Sequence, residues 1–123
     1  MPVTQHQPFE VLVERALDDL PDEILGLLAN VAIVIDDEPT SEQLRESGLG
    51  PHDSLYGLYE GVSPVTYGAD LVPFPNKITL FRLSLEEDFP DPDELASEVQ
   101  KTVVHELGHH AGIDEQRLHQ LGF

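Results

Sequence analysis

One long, well-punctuated helix constrains this chain more than any other feature. Leu95, Val99, Val103 and Leu107 recur every four residues, which at about 3.6 residues per turn lays a single apolar stripe along a helix that something apolar must cover. Its ends are as explicit as its face. Asp91 suits the N-cap, Pro92 the first helical position, and Glu94 stands three residues after the cap as in a capping box. Gly112 can end the helix in a left-handed conformation. Such a helix spans about 30 Å, the width of a small domain. The 123-residue length therefore predicts one domain, 1–123, built around one core.

The remaining pattern supplies the cover. Phe9, Leu12, Val13, Ala16, Leu17 and Leu20 follow the i, i+3, i+4, i+7 rule of an amphipathic helix, which Pro21 stops. Pro21 can itself open a short second helix through Leu28, with Asp22 and Glu23 at its positive end. The β-branched run Val31 to Ile35 predicts a buried central strand. Residues 36–53 read as loop, with at most one helical turn around Ser41 to Glu46. Leu55 to Tyr59 reads as a second strand, and residues 61–76, with Gly61, Pro64, Gly68, Pro73 and Pro75, as irregular. Lys77 to Leu85 alternates Ile78, Leu80 and Arg82 against Thr79, Phe81 and Leu83, a third strand to pair with the second. Asp114 can cap a last short helix from Glu115 to Leu121. Helices at both ends of a few strands make the class α+β.

Composition removes several kinds of chemistry. Without cysteine there is no disulfide framework, no thiolate metal site and no cysteine nucleophile, so any metal must be held by His, Asp or Glu. The 24 Asp and Glu against 6 Lys and Arg give a net charge of −18, which opposes binding to nucleic-acid phosphates. These carboxylates are scattered through every segment, as on a solvated acidic surface; a basic partner or a high-salt habitat are the other readings. The longest apolar run, Val31 to Ile35, is far too short to cross a membrane, and Met1 to Glu10 has neither a basic start nor an apolar signal segment. A soluble, cytoplasmic protein is the expectation.

On the long helix stands His105-Glu106-Leu107-Gly108-His109. Histidines at i and i+4 lie about 40° apart on one helix face, so both imidazoles can reach one zinc ion. In this H-E-x-x-H pattern Glu106 is the general base toward a metal-activated water and not a ligand. A catalytic zinc needs a third protein ligand, and the candidates are Glu115, ten residues after His105, then Asp114, whose better role is to cap the last helix, and then His119. His110, three residues after Leu107, lies on the apolar stripe and reads as a buried or half-buried structural residue. His6 and His52 fall in expected loops and carry no signal. Tyr56, Tyr59 and Tyr67 each could stabilise an oxyanion, though packing accounts for any one of them.

The stretch from His105 to Glu115, followed by Arg117-Leu118 and Leu121-Gly122, resembles the end of the small bacterial zincin-like metallopeptidases. The resemblance extends to Leu55 to Gly61, to Lys77 to Arg82, and to Asn30 to Val34 with Asp37-Glu38-Pro39. It implies a minimal zincin-like fold, a small mixed β-sheet packed against a backing helix and an active-site helix. It implies as well a zinc site of His105, His109 and Glu115, with Glu106 as the catalytic base of a peptidase. Two departures from the metzincins stand out: the third ligand is acidic, and no Met-turn is available because Met1 is the only methionine. The rival readings are a zinc-binding module without turnover and a structural protein-interaction domain on the same scaffold. The expected partner is a peptide or protein substrate, basic ones among the candidates, with no nucleic acid and no membrane.

Overall fold

In the computed structural model, which describes residues 8–61, 76–111 and 113–123, helices alternate with three strands. Helices α1 (Pro8–Asp18) and α2 (Asp22–Leu28) precede β1 (Val31–Asp36) and α3 (Ser41–Glu46). Then come β2 (Gly57–Glu60), β3 (Asn76–Phe81), α4 (Arg82–Asp88), α5 (Pro92–Ala111) and α6 (Glu115–Gln120). The sheet runs β1-β3-β2, with β1 parallel and β2 antiparallel to β3. This is the expected α+β arrangement of a small mixed sheet with helices.

The apolar stripe of α5 forms the centre of the core. Val99 and Val103 are wholly buried, Leu95 and Leu107 nearly so, together with Ile78 and Leu80 of β3 and Phe9, Val13 and Ala16 of α1. The Gln100 amide donates to the Ala16 carbonyl at 2.7 Å and pins α1 across α5. Asp91 caps α5 as expected, its Oδ2 accepting from the N–H groups of Asp93 and Glu94 at 3.1 and 3.0 Å.

Three expectations are corrected. Val31 to Ile35 forms a strand, but a half-buried to exposed one and, among the described residues, at an edge of the sheet; the centre belongs to β3. A β-branched run reports apolar neighbours above and below a strand and carries no information on what lies beside it. The strand expected over Leu55 to Tyr59 begins at Gly57 and ends at Glu60. The strand expected over Lys77 to Leu85 ends at Phe81, where α4 begins. There Arg82 pairs with Glu86 one helical turn on at 2.6 Å, while its other guanidinium nitrogens bind Asp37. The alternation simply continues across a strand-to-helix junction.

The single turn around Ser41 to Glu46 is a helix with a full capping box. Gln43 N–H donates to Thr40 Oγ1 at 3.0 Å and Thr40 N–H to Gln43 Oε1 at 2.9 Å. The Gln43 amide also donates to Glu60 at 3.0 Å, tying α3 to β2. Gly57 lets α5 approach the sheet: a Cβ there would lie 2.6 Å from Thr102 Cγ2 and 3.2 Å from the Thr79 carbonyl oxygen. The irregular stretch expected around Pro64, Gly68, Pro73 and Pro75 lies outside the described residues, as do His6, Tyr67 and the helix-ending Gly112.

Candidate metal centre

Successive rows of α5 face different surroundings. Leu95, Val99, Val103 and Leu107 enter the core, whereas Thr102, Glu106 and His110, each four residues apart, run along β2. Thr102 abuts Gly57, Glu106 meets the Tyr59 backbone, and His110 stacks on the Tyr59 ring with centroids 4.1 Å apart and planes within 9°. His105 and His109 lie one row further round, next to Glu106 and toward solvent.

Glu106 Oε1 accepts a hydrogen bond from Tyr59 N–H at 2.9 Å. That N–H is available because of the register. Phe81 N–H donates to the Tyr56 carbonyl, so Leu58 and Glu60 bond β3 while the peptide groups of Gly57 and Tyr59 turn to the other side of β2, which has no strand neighbour among the described residues. Glu106 thus caps one donor on that side. Its other oxygen lies 3.9 Å from His109 Nδ1, an ion pair only when that imidazole is protonated.

His105 is half-buried and His109 is exposed, and neither imidazole has a hydrogen-bond partner among the described residues. Two unengaged imidazoles one turn apart are donors of the kind zinc takes. Glu115 is the first residue of α6, exposed and without a polar partner among the described residues. Asp114 performs the expected capping role, its Oδ1 accepting from Arg117 N–H at 2.7 Å. His119 is exposed on α6. Among the described residues no three His, Asp or Glu side chains stand close enough to share one ion, so Glu115 is not gathered with the two histidines.

α6 is nevertheless fastened to the rest of the molecule on two sides. Its buried Leu118 packs over Gly108, where a Cβ would lie 3.2 Å from Leu118 Cδ1. On the outer side the Arg117 guanidinium binds Glu23 of α2, which holds the Glu23 carboxyl below its ordinary value.

The expectation that His110 is buried or half-buried is corrected: it is exposed, with one ring face stacked on Tyr59. The apolar stripe enters the core as far as Leu107, and His110, three residues on, lies in the last turn beyond it. Of the tyrosines, Tyr56 donates to Asp88 at 2.5 Å, and that bond, with lesser help from burial and nearby carboxylates, pushes its phenol up to about 12. Tyr59 serves the site through its backbone and by stacking. That backbone role has no side-chain signature; only the glycine two residues before it marks a place where a helix comes close.

The comparisons agree with this architecture. A model of the zincin-like metallopeptidase family matches residues 28–123. No curated protein matches the chain. A solved structure of a conserved hypothetical protein from Thermo thermophilus is similar, at 27% identity and a TM-score of 0.55, over 89% of this chain and 99% of that one. With most of its length matched, from the end of α2 through α6, the chain belongs to the zincin-like metallopeptidase family.

Proposed function

We propose that the protein is a zinc-dependent peptidase in which His105, His109 and Glu115 hold the metal and Glu106 is the general base. The observation that carries this reading is the Glu106 carboxylate, held at 2.9 Å by the Tyr59 N–H beside two imidazoles and a strand side that are without partners among the described residues. Bound zinc supplies a Lewis acid that polarises the scissile carbonyl and acidifies water. Glu106 takes the proton of the attacking water and hands it to the departing amine. The Tyr59 N–H keeps one carboxylate oxygen oriented while the other remains free for that transfer. The Gly57 peptide groups and the Tyr59 carbonyl, which face away from β3, suit an extended substrate laid along β2, which brings its backbone beside Glu106. The net charge of −18 favours basic, unfolded substrates.

Glu115 is preferred to Asp114 as the third ligand because Asp114 is already engaged as a cap. A second reading, a zinc-binding module without turnover, draws on the two imidazoles one turn apart, which suit a metal and of themselves require no substrate cleft. The two are separated by loading chelator-stripped protein with zinc and assaying cleavage of unfolded basic peptides with and without chelator. Zinc binding with chelator-sensitive cleavage is the expected result. Binding without cleavage supports the module, and no zinc binding removes both.

A further inference from the structure

The β1 side of the sheet, away from the histidines, also presents an unpaired edge among the described residues. β1 has a strand neighbour on one side only among the described residues. Because Leu58 and Glu60 bond the odd-numbered residues of β3, the even-numbered ones bond β1 through Ala32, Val34 and Asp36. The peptide groups of Val31, Ile33 and Ile35 then face outward. Beside this edge lies a groove of about 620 Å³ between β1 and α1, floored by Val13, Leu17, Ile33 and Ile35. Its far wall is Glu10, Glu14 and Asp18, all exposed and none paired with a cation among the described residues.

The spacing of that wall specifies what it can read. Carboxylates four residues apart on a helix repeat about every 6 Å. Alternate side chains of an extended strand repeat about every 6.6–6.8 Å, close enough to stay in step over three positions. A strand added to β1 therefore meets a carboxylate with every second side chain, while its intervening backbone finds the outward N–H and C=O groups.

We propose that the open edge of β1 and the acidic flank of α1 form a docking groove for an extended, basic polypeptide segment of a partner protein, with lysine or arginine at alternate positions. A second copy of this chain does not suit the groove. Each copy carries −18, and its six Lys and Arg nowhere alternate along one segment. The groove is separate from the metal centre, since β1 and β2 occupy opposite edges of the sheet. It is also built partly outside the family-matched residues: α1 lies before residue 28.

The test uses the full chain and the synthetic peptide acetyl-Thr-Lys-Val-Lys-Val-Lys-Val-Lys-Thr-amide. Backbone amide shifts on titration should map to β1 and α1, and calorimetric affinity should fall with added salt. Combining Glu10→Gln, Glu14→Gln and Asp18→Asn should weaken binding about tenfold with circular dichroism unchanged, because none of the three is ion-paired among the described residues. Zinc chelation should leave the affinity as it was. The proposal is overturned by any of four results: no binding, equal binding to the triple variant, shifts that map to β2 and α5 and not to β1 and α1, or equal binding of spermine or of a peptide with the same lysines in one block.

Discussion

The Tyr59 N–H donates to Glu106 Oε1 at 2.9 Å, joining the side of β2 that faces away from β3 to the helix that carries both histidines. The bond orients a carboxylate without consuming it, since the second oxygen is left to act. Glu106→Gln keeps an oxygen that can accept from Tyr59, so the fold and zinc affinity should be nearly unchanged. Turnover should drop by about 10² to 10⁴, the usual worth of a general base. Paired calorimetry and peptide-cleavage assays on the two proteins check this. Equal cleavage by both would show that Glu106 is not the base, and loss of zinc with the Gln variant would make it a ligand.

Substitution should separate the two acidic candidates on α6. Glu115→Ala is expected to weaken zinc binding more than Asp114→Ala does. Asp114→Ala should instead cost about 0.5 to 2 kcal/mol of stability, because Arg117 N–H loses its acceptor. Zinc titrations and urea unfolding of both variants give the ranking, and the reverse order transfers the ligand role to Asp114.

Imidazole ligands bind zinc in their neutral form, so protons compete with the metal and zinc affinity should fall on acidification. Calorimetry in buffers of different ionisation enthalpy measures the coupled protons. Affinity that does not respond to acidification would exclude a histidine site.

The Tyr56–Asp88 bond produces an alkaline signature. A phenol pushed up to about 12 in the folded chain is stabilised as its neutral form. That contribution is complete below about pH 10, where the unfolded phenol titrates, and is lost as pH rises through about 12. Tyr56→Phe should lower stability at neutral pH and flatten the decline between those values. Urea unfolding from pH 8 to pH 12 would reveal it, and parallel curves for the two proteins would contradict it.

Gly57 gives a packing test. Gly57→Ala places a methyl group 2.6 Å from Thr102 Cγ2, and a β-branched side chain can yield little, so about 1 to 3 kcal/mol should be lost. Adding Thr102→Ser removes the opposing methyl group and should restore much of the loss. A double variant no more stable than the single one would assign the strain to the Thr79 carbonyl instead.

Legibility from sequence followed the range of each signal. The α5 stripe and the α1 face were readable because each is periodic within one element, and the Asp91 and Asp114 caps because each acts over two or three residues. Thr40 and Gln43 carry a capping signal of the same kind, hidden by the acidic and proline-rich residues around it. The edge position of β1 was not readable, since strand order depends on which segments meet across the chain. Likewise, His105, Glu106 and His109 are neighbours by helix geometry alone, whereas the Tyr59 bond to Glu106 joins backbone to side chain across 47 positions. His110 shares the helical stripe of Val103 and Leu107, but how far along that stripe the core extends is set by tertiary packing and leaves no mark in the periodicity.

The strand order also bears on how the molecule assembles. Among the described residues β2 and β3 are consecutive, while β1 reaches β3 only after α3 and β2 have intervened. Loop closure grows costlier with length, by about 0.6 kcal/mol per doubling, so the antiparallel pair with α4 and α5 is the expected earlier nucleus. The segment carrying Glu106 and both histidines then takes shape before β1 and α1 arrive. Slow steps in refolding should accordingly belong to the N-terminal elements, and destabilising substitutions there should speed unfolding more than they slow folding.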